Sequence, residues 1–308
     1  MAHQQSKDEN KMTNNNKYRY NLQAFTNEDD ISYYLLGAFI TDGNVSYQKS
    51  STPNKTYYSC EIKSADYEWI ERISKICGEN LKLTKASNSL CLRLRIHNTA
   101  IGEWLVNHDC IPNKTLCVKF PNIPDQYLAD FIRGCWDGDG SVSLKKKSNY
   151  SSIISFQLNS ASKDFVYAMQ NVLLSRYNIE SHIYKCKMCD HKMANGTIIT
   201  ARNQLYVLTV IGANNCKLFA ENIYYENNRL SLNRKNEKAK AITAYYKNKP
   251  DVNAVYRSMD LTKIVVWPLN NDLLDMVNKS NAAQVAKQLG IDQTTMYGRI
   301  KKIKEGKI

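Results

Sequence analysis

The chain has 308 residues, long enough to bury a sizeable core and to hold one to three domains. With 43% hydrophobic residues it is globular rather than wholly disordered, and a formal charge of +13 with a pI near 9.2 points to a polyanionic partner. Nucleic acid is the first candidate and an anionic membrane surface the second. No apolar run approaches the roughly 20 residues of a membrane span, and no basic-then-apolar signal opens the chain, so an intracellular protein without membrane attachment is expected.

Residues 1–29 are polar and rich in Asn, Gln and Lys, and are read as a flexible tail. From Asp30 to about Leu105 the order is helix, two strands, helix, two strands, helix. Asp29 or Asp30 caps the first helix, which runs to Thr41. Strands follow at Asn44–Lys49 and Tyr57–Lys63, joined by a turn at Ser51-Thr52-Pro53-Asn54. The segment Ser64–Cys77 is amphipathic, with Trp69, Ile70, Ile73 and Ile76 on one face and Gly78 as its stop. Leu90–His97 alternates cleanly. Leu90, Leu92, Leu94 and Ile96 face one way; Cys91, Arg93, Arg95 and His97 face the other. A strand with two arginines on its polar face is a candidate DNA-binding surface.

A connector from Cys110-Ile-Pro-Asn-Lys-Thr115 to Pro121-Asn-Ile-Pro124 leads to a second unit with the same order. It comprises helix Asp125–Gly138, strands near Ser141–Lys145 and Ile153–Asn159, helix Ser162–Tyr177, a hairpin around Ser181–Val210 and a helix from Asn214. Residues 30–117 and 118–249 are therefore read as two repeats. Arg229–Lys249 carries seven basic residues against one acid, Glu237, and reads as a phosphate-contacting arm that includes Arg234 and Lys235. Lys145 and Lys147 are further candidate DNA contacts. After a linker at 250–269, residues 270–308 read as a trihelical unit: Asp272–Val277, Asn281–Leu289 and Asp292–Ile303. Val285, Leu289, Ile291, Met296 and Ile300 form its core, with Ala286 and Gly290 four apart. Gln293, Thr294, Thr295, Tyr297 and Arg299 face outward, as in the recognition helix of a helix-turn-helix.

Nine cysteines are scattered through apparent core segments, as reduced buried thiols would be. The cluster Cys186-x-x-Cys189-x-His191 lacks the second ligand pair a structural zinc site needs, and is read as a hairpin with free thiols.

The repeat carries the functional signal. Leu35-Leu36-Gly37-Ala38-Phe39-Ile40-Thr41-Asp42-Gly43 is echoed by Ile132-Arg133-Gly134-Cys135-Trp136-Asp137-Gly138-Asp139-Gly140, 97 positions on (139 − 42). Gly37 with Thr41, and Gly134 with Gly138, are small residues one helical turn apart, which lets two helix backbones approach closely. If these helices pack together, Asp42 and Asp139 meet at their carboxyl ends. Like charge and the negative helix poles make that costly, and a divalent cation relieves both penalties. Hard oxygen ligands with incomplete protein coordination favour Mg²⁺ or Mn²⁺, and phosphate oxygens with water would complete the shell. Asp137, opposite Ile40 in the first motif, has no acidic counterpart and is read as structural.

These paired motifs resemble the LAGLIDADG homing endonucleases of the single-chain, two-repeat kind, over about Asp30 to Lys240. The Ile111-Pro-Asn-Lys114 connector and the Phe131-Ile-Arg-Gly134 approach to the second motif belong to the same resemblance. It implies an α+β fold: two pseudo-symmetric αββαββα repeats whose antiparallel sheets form a DNA-binding saddle, plus a small all-α C-terminal domain. It implies a monomer that hydrolyses one phosphodiester per strand of a long asymmetric duplex site, cutting across the minor groove to leave short 3′ overhangs. Asp42 and Asp139 would then bind metal, with the carbonyls of Thr41 and Gly138 beside them. A Lys, Arg or Gln near each scissile phosphate is also implied. Lys63 takes that place in the first half; Asn159 with Gln157 stands there in the second, so that either the two strands are nicked at unequal rates or a lysine such as Lys145 substitutes. An intron maturase acting on RNA and a non-cleaving DNA-binding regulator are the alternatives. An intein is disfavoured, because the chain opens with Met and ends Lys307-Ile308 without the His-Asn pair of splicing.

Overall fold

The computed structural model describes residues 18–49, 51, 56–86, 90–148, 151–186, 191–192, 198–199, 203–248, 270–289, 291 and 293–305. The chain begins there with β1 (Arg19–Tyr20) and a helical turn α1 (Gln23–Thr26). These residues are not tail. The strand pairs antiparallel with β4, Asn21 bonds the end of the third helix, and Phe25 is fully buried against Phe39 and Trp104. Tyr18, Tyr20, Leu22 and Phe25 among polar residues span too few positions to show a period, which is why the sequence reads as featureless there. Residues 1–17 and 250–269, expected as tail and linker, lie outside the described residues.

The first repeat follows as α2 (Asp30–Thr41), β2 (Gly43–Lys49), β3 (Thr56–Ser64), α3 (Tyr67–Cys77), β4 (Gly78–Glu79), β5 (Thr84–Lys85), β6 (Leu92–Ile96) and α4 (Thr99–Asn107). Asp29 caps α2 through a capping box with Ser32, so the helix start is fixed locally. The second repeat is α5 (Leu128–Asp139), β7 (Gly140–Ser148), β8 (Ser151–Ser160), α6 (Lys163–Tyr177), β9 (His182–Lys185), β10 (His191–Lys192), β11 (Ile198–Ile199), β12 (Tyr206–Ile211) and α7 (Ala213–Ile223). A long helix α8 (Asn233–Asn248) closes the two-repeat body.

Each repeat forms a four-stranded antiparallel sheet, ordered β2-β3-β6-β5 and β7-β8-β12-β9. The registers correspond: Gly43 pairs with Ile62, and Gly140 with Leu158. In the first sheet Val45, Cys60, Ile62, Leu94 and Ile96 are buried on the inner face; in the second, Val142, Phe156, Leu158, Leu208 and Val210 are. The period-2 alternation thus leaves each sheet a polar outer face. Helices of both halves lie under these sheets, and one continuous core joins the two repeats.

A separate small core is built by α9 (Asn270–Lys279), α10 (Ala282–Gln288) and α11 (Gln293–Lys304) from Leu273, Met276, Val285, Ala286, Ile291, Met296 and Ile300. The expected three helices and their core are therefore observed, with the first beginning two residues earlier than expected. The Cys186-x-x-Cys189-x-His191 cluster lies outside the described residues at Cys189 and at the His191 side chain.

Candidate functional site

Helices α2 and α5 cross at their glycines. A Cβ on Gly37 would stand 2.2 Å from the Phe131 carbonyl oxygen, and one on Gly134 would stand 2.1 Å from that of Tyr34. The next contacts are Cys135 for Gly37 and Ala38 for Gly134, so both sets are related by the same 97-position offset. The close approach predicted from the small residues is thus observed, with a pseudo-twofold axis between the helices. Gly138 continues the seam: a Cβ there would meet Thr41 Oγ1 at 2.1 Å and the Asp42 carboxyl carbon at 3.5 Å. The two acids are brought together at the carboxyl ends of the paired helices, Asp42 as the C-cap of α2 and Asp139 as the last residue of α5.

Their electrostatics differ. Burial, and after it the negative charge of Asp139, pushes the Asp42 carboxyl up to about 7; Lys235 and Arg234 oppose the rise and Asp66 adds to it. Burial also raises Asp139, but two cations, Lys235 and Lys114, hold that rise back. Asp139, Lys114 and Asn159 line one cleft of about 500 Å³, together with Thr41, Gly43 and Asn44 from the first half.

Lys114 escapes assignment from sequence, although it stands in the quoted connector. It is buried, and its ammonium donates to the Gly43 carbonyl at 2.5 Å. A lysine buried at a helix end beside an acid has no periodic signature, and only its place in the connector motif marks it.

Lys235 lies elsewhere than expected. It is not on a solvent-facing arm: it is 1% exposed, and its ammonium donates to the carbonyls of Trp136 at 2.6 Å, Asp137 at 2.7 Å and Gly138 at 3.3 Å. These carbonyls lie at the C-terminus of α5, where a cation is favoured, and that of Trp136 also accepts the Gly140 amide. Desolvation pulls its pKa down to about 8. The Gly138 carbonyl, expected to face a metal, is thus already within reach of an ammonium. Arg234 is likewise committed, forming a two-pronged pair with Asp66 at 2.8 and 2.9 Å. The arm folds inward because the preceding segment is apolar, with Leu230 and Leu232 buried in the core.

Asp137 is structural, as read from the sequence. Fully enclosed, it accepts from Tyr34 Oη at 2.8 Å, Tyr224 Oη at 2.7 Å and the Leu232 amide at 2.7 Å, while Trp69 Nε1 donates to Tyr34 Oη at 2.7 Å. A buried carboxylate with three donors is satisfied rather than reactive.

On the outer face of the first sheet Lys63, Arg93 and Arg95 all turn to one acid, Glu61, at 2.8, 3.7 and 2.7 Å. The register puts Glu61 opposite Arg95 and Lys63 opposite Arg93. Lys63 therefore lies on the saddle face, held by Glu61 and half exposed, rather than alone beside Asp42. The equivalent positions on the second sheet are Gln157 and Asn159, both uncharged. The side chains of Lys145 and Lys147 lie outside the described residues. Gln293 and Thr294 are exposed on α11, the Thr295 side chain is outside the described residues, and Arg299 is partly buried within the small module rather than turned outward.

Residues 126–224 match the LAGLIDADG-like domain family. The first repeat has the same motif helix, sheet and register at a constant offset, so α2 and α5 form a pseudo-symmetric pair. Two curated proteins are also similar, both described as probable translation initiation factor IF-2. That of Methanocaldococcus jannaschii is 26% identical over 237 residues, covering 74% of this chain and 18% of its own length. That of Thermococcus kodakarensis is 27% identical over 159 residues, covering 50% of this chain and 12% of its own length. The chain thus spans under a fifth of either. Among solved structures, the meganuclease I-SmaMI bound to uncleaveable DNA is 15% identical with a TM-score of 0.42, over 74% of this chain and 98% of that one. The LAGLIDADG meganuclease I-AabMI bound to uncleaved DNA is 13% identical with a TM-score of 0.44, over 73% of this chain and 96% of that one.

The donor chemistry at the helix ends fits a hard divalent cation. Two carboxylates converge where burial raises both and repulsion adds to the rise of Asp42, and a cation between them would relieve that penalty. Among the described residues no third carboxylate, histidine or cysteine joins them, so phosphate oxygens and water would complete the coordination. Among those residues no helix is long and apolar enough to cross a membrane.

Proposed function

We propose that the chain is a site-specific endonuclease of double-stranded DNA that hydrolyses one phosphodiester on each strand, with Mg²⁺ or Mn²⁺ as cofactor. The observation that carries this reading is the convergence of Asp42 and Asp139 across the glycine seam of α2 and α5. The two antiparallel sheets add to it, because each keeps its apolar face in the core and leaves a polar face free. A duplex laid over both faces would pass its backbones by the carboxyl ends of both motif helices. The net charge of +13 favours that encounter, and it predicts affinity falling steeply with salt.

When bound, the divalent ion polarises the phosphate and supports ionisation of the attacking water. The protein's own contribution is positional and electrostatic. Asp42 and Asp139 hold the cation, and the seam fixes their separation. Lys114 faces the cleft beside Asp139, where its charge offsets that building on a phosphate. Lys235 ties down the end of α5 from beneath and adds positive potential to both acids. Lys63, Arg93 and Arg95 present a cationic stripe to the backbone or to guanine edges. Two repeats in one chain allow an asymmetric target and action as a monomer.

The test is cleavage of a long duplex library by purified protein with and without Mg²⁺, beside an Asp42→Asn/Asp139→Asn double variant. Metal-dependent double-strand cuts at one sequence, lost in the variant, are expected. Tight binding to DNA without cutting would support a regulator, and preference for structured RNA a maturase; either overturns the nuclease reading.

A further inference from the structure

The three-helix module at the end of the chain has a face that its own fold leaves idle. Helix α11 buries Met296 and Ile300 against Val285, Ala286 and Ile291. On its other side Gln293, Thr294, Tyr297, Gly298, Lys301 and Lys302 are all exposed, and they form two adjacent rows spaced four residues apart. Tyr297 is 56% exposed, the most open large hydrophobic side chain described in this module. Gly298 is the informative residue. It sits mid-helix, where glycine is disfavoured relative to alanine, and a Cβ built on it would have nothing within 4 Å. The fold gains nothing from it. A glycine between a tyrosine, two lysines and two short polar side chains clears room for another molecule's backbone to come close.

Among the described hydrophobic side chains, the module's core is met from one half of the molecule only. Among the described residues outside it, Leu90 of the β5–β6 loop packs on its core, and Tyr67 Oη fixes that loop by donating to the Leu90 carbonyl at 2.9 Å. Leu90 lies three residues before Arg93, on the strand that carries both arginines of the first sheet. The module therefore sits beside the strand that carries the first sheet's arginines, and among the described residues no hydrophobic side chain of the second repeat packs on its core.

We infer that α11 is a second DNA-reading element, which enters the major groove beside the first repeat and lengthens the target on that flank alone. The polar tips of Gln293 and Thr294 match base edges, Tyr297 and the lysines match the backbone, and Gly298 admits the close phosphate or sugar. The inference rests on the DNA-binding reading above and extends it to a one-sided footprint.

Selection from a random 60-base-pair duplex pool with full-length protein carrying Asp42→Asn/Asp139→Asn, expected to bind without cutting, tests it against the same protein with Gln293→Ala and Thr294→Ala added. The parent is expected to enrich a core block plus a separate flanking block on one side, and the variant only the core block. On the selected duplex, Gly298→Leu should weaken binding roughly 10-fold while leaving thermal stability equal or higher. Lys301→Ala/Lys302→Ala should lower the salt slope by about 2. Identical consensus blocks from parent and variant, or unchanged affinity in Gly298→Leu, would overturn the inference and leave the core reading standing. No enriched duplex from either protein would overturn both.

Discussion

The two motif helices are near copies, yet the acids at their ends live in different fields. Asp139 has two cations near it, Lys235 and Lys114, and opens to a cleft that holds Asn159. Asp42 answers to Lys235 and Arg234, but it also feels Asp139 and Asp66, and Arg234 is already neutralised by pairing with Asp66. The sheets differ in the same sense. The first carries Glu61 and Lys63 where the second carries Gln157 and Asn159. Backbone symmetry is enforced by the seam, where no side chain fits. Charge is free to diverge because, beside the shared Lys235, Asp42 meets Arg234 of α8 and Asp139 meets Lys114 of the connector. A symmetric frame with asymmetric charge predicts two strand cuts at unequal rates.

The largest effect that would break this comparison is the loss of either acid. Asp42→Asn or Asp139→Asn should each lower double-strand cutting by at least on the order of 10³-fold, since one developing charge loses its support. Residual nicking of a supercoiled plasmid should fall on opposite strands in the two variants. Nicks on the same strand in both would show that the acids act as one centre rather than two. Lys114→Met should slow one strand selectively, whereas Lys235→Met should slow both.

Lys235→Met also separates the lysines by stability. It takes the ammonium from the carbonyls of Trp136, Asp137 and Gly138 and leaves Asp137 without the cation that most favours its charge, so a loss of roughly 3–5 kcal/mol is expected in chemical denaturation. Lys114 ties down the carbonyl of Gly43, and its replacement should cost about 1–2 kcal/mol. Equal costs would erase the distinction between a lysine that holds the fold and one that faces the cleft. Next in size is the seam. Gly37→Ala and Gly134→Ala should each cost roughly 1–3 kcal/mol, and similarly to one another, because the added methyl meets main-chain oxygen in both cases.

Much of this is legible in the sequence because it is written twice. The duplicated motif with a constant offset implies the paired helices, the meeting of Asp42 and Asp139, and the matching strand order of each half. Strand alternation at Leu92–Ile96 correctly puts Arg93 and Arg95 on a polar face. What fails are the readings made from local charge alone. Arg234 and Lys235 look like an arm, but their destinations are Asp66 and the end of α5, 168 positions and about a hundred positions away in the chain. No periodicity encodes such a contact. Phe25 disappears among polar neighbours for the same reason, and Lys63 reads as a free cation beside the metal only if Glu61, two residues before it, is overlooked. Burial of charge is a tertiary decision, and it shows in sequence only when its partner is local.

The finest effect is one of pH, and of the two site acids, both raised by burial, it falls mainly on Asp42. Its carboxyl moves from an ordinary 3.8 in the unfolded chain to about 7 in the fold. Between those values the native state keeps a proton that the unfolded state has lost. Stability from this group is therefore fully present below about 4 and is lost as pH rises through about 7, with a slope of up to ~1.4 kcal/mol per pH unit. Without divalent metal, the melting temperature should fall from pH 5 to pH 7.5, and Asp42→Asn should flatten that fall. Mg²⁺ should flatten it in the unsubstituted protein too, because a cation at the helix ends replaces the proton. Asp139→Asn should lower the Asp42 pKa by removing its strongest charged neighbour, so the fall would end at lower pH and be smaller. A pH profile indifferent to both substitutions would mean that the two acids do not share a field, and the metal-bridging role assigned to them would fail with it.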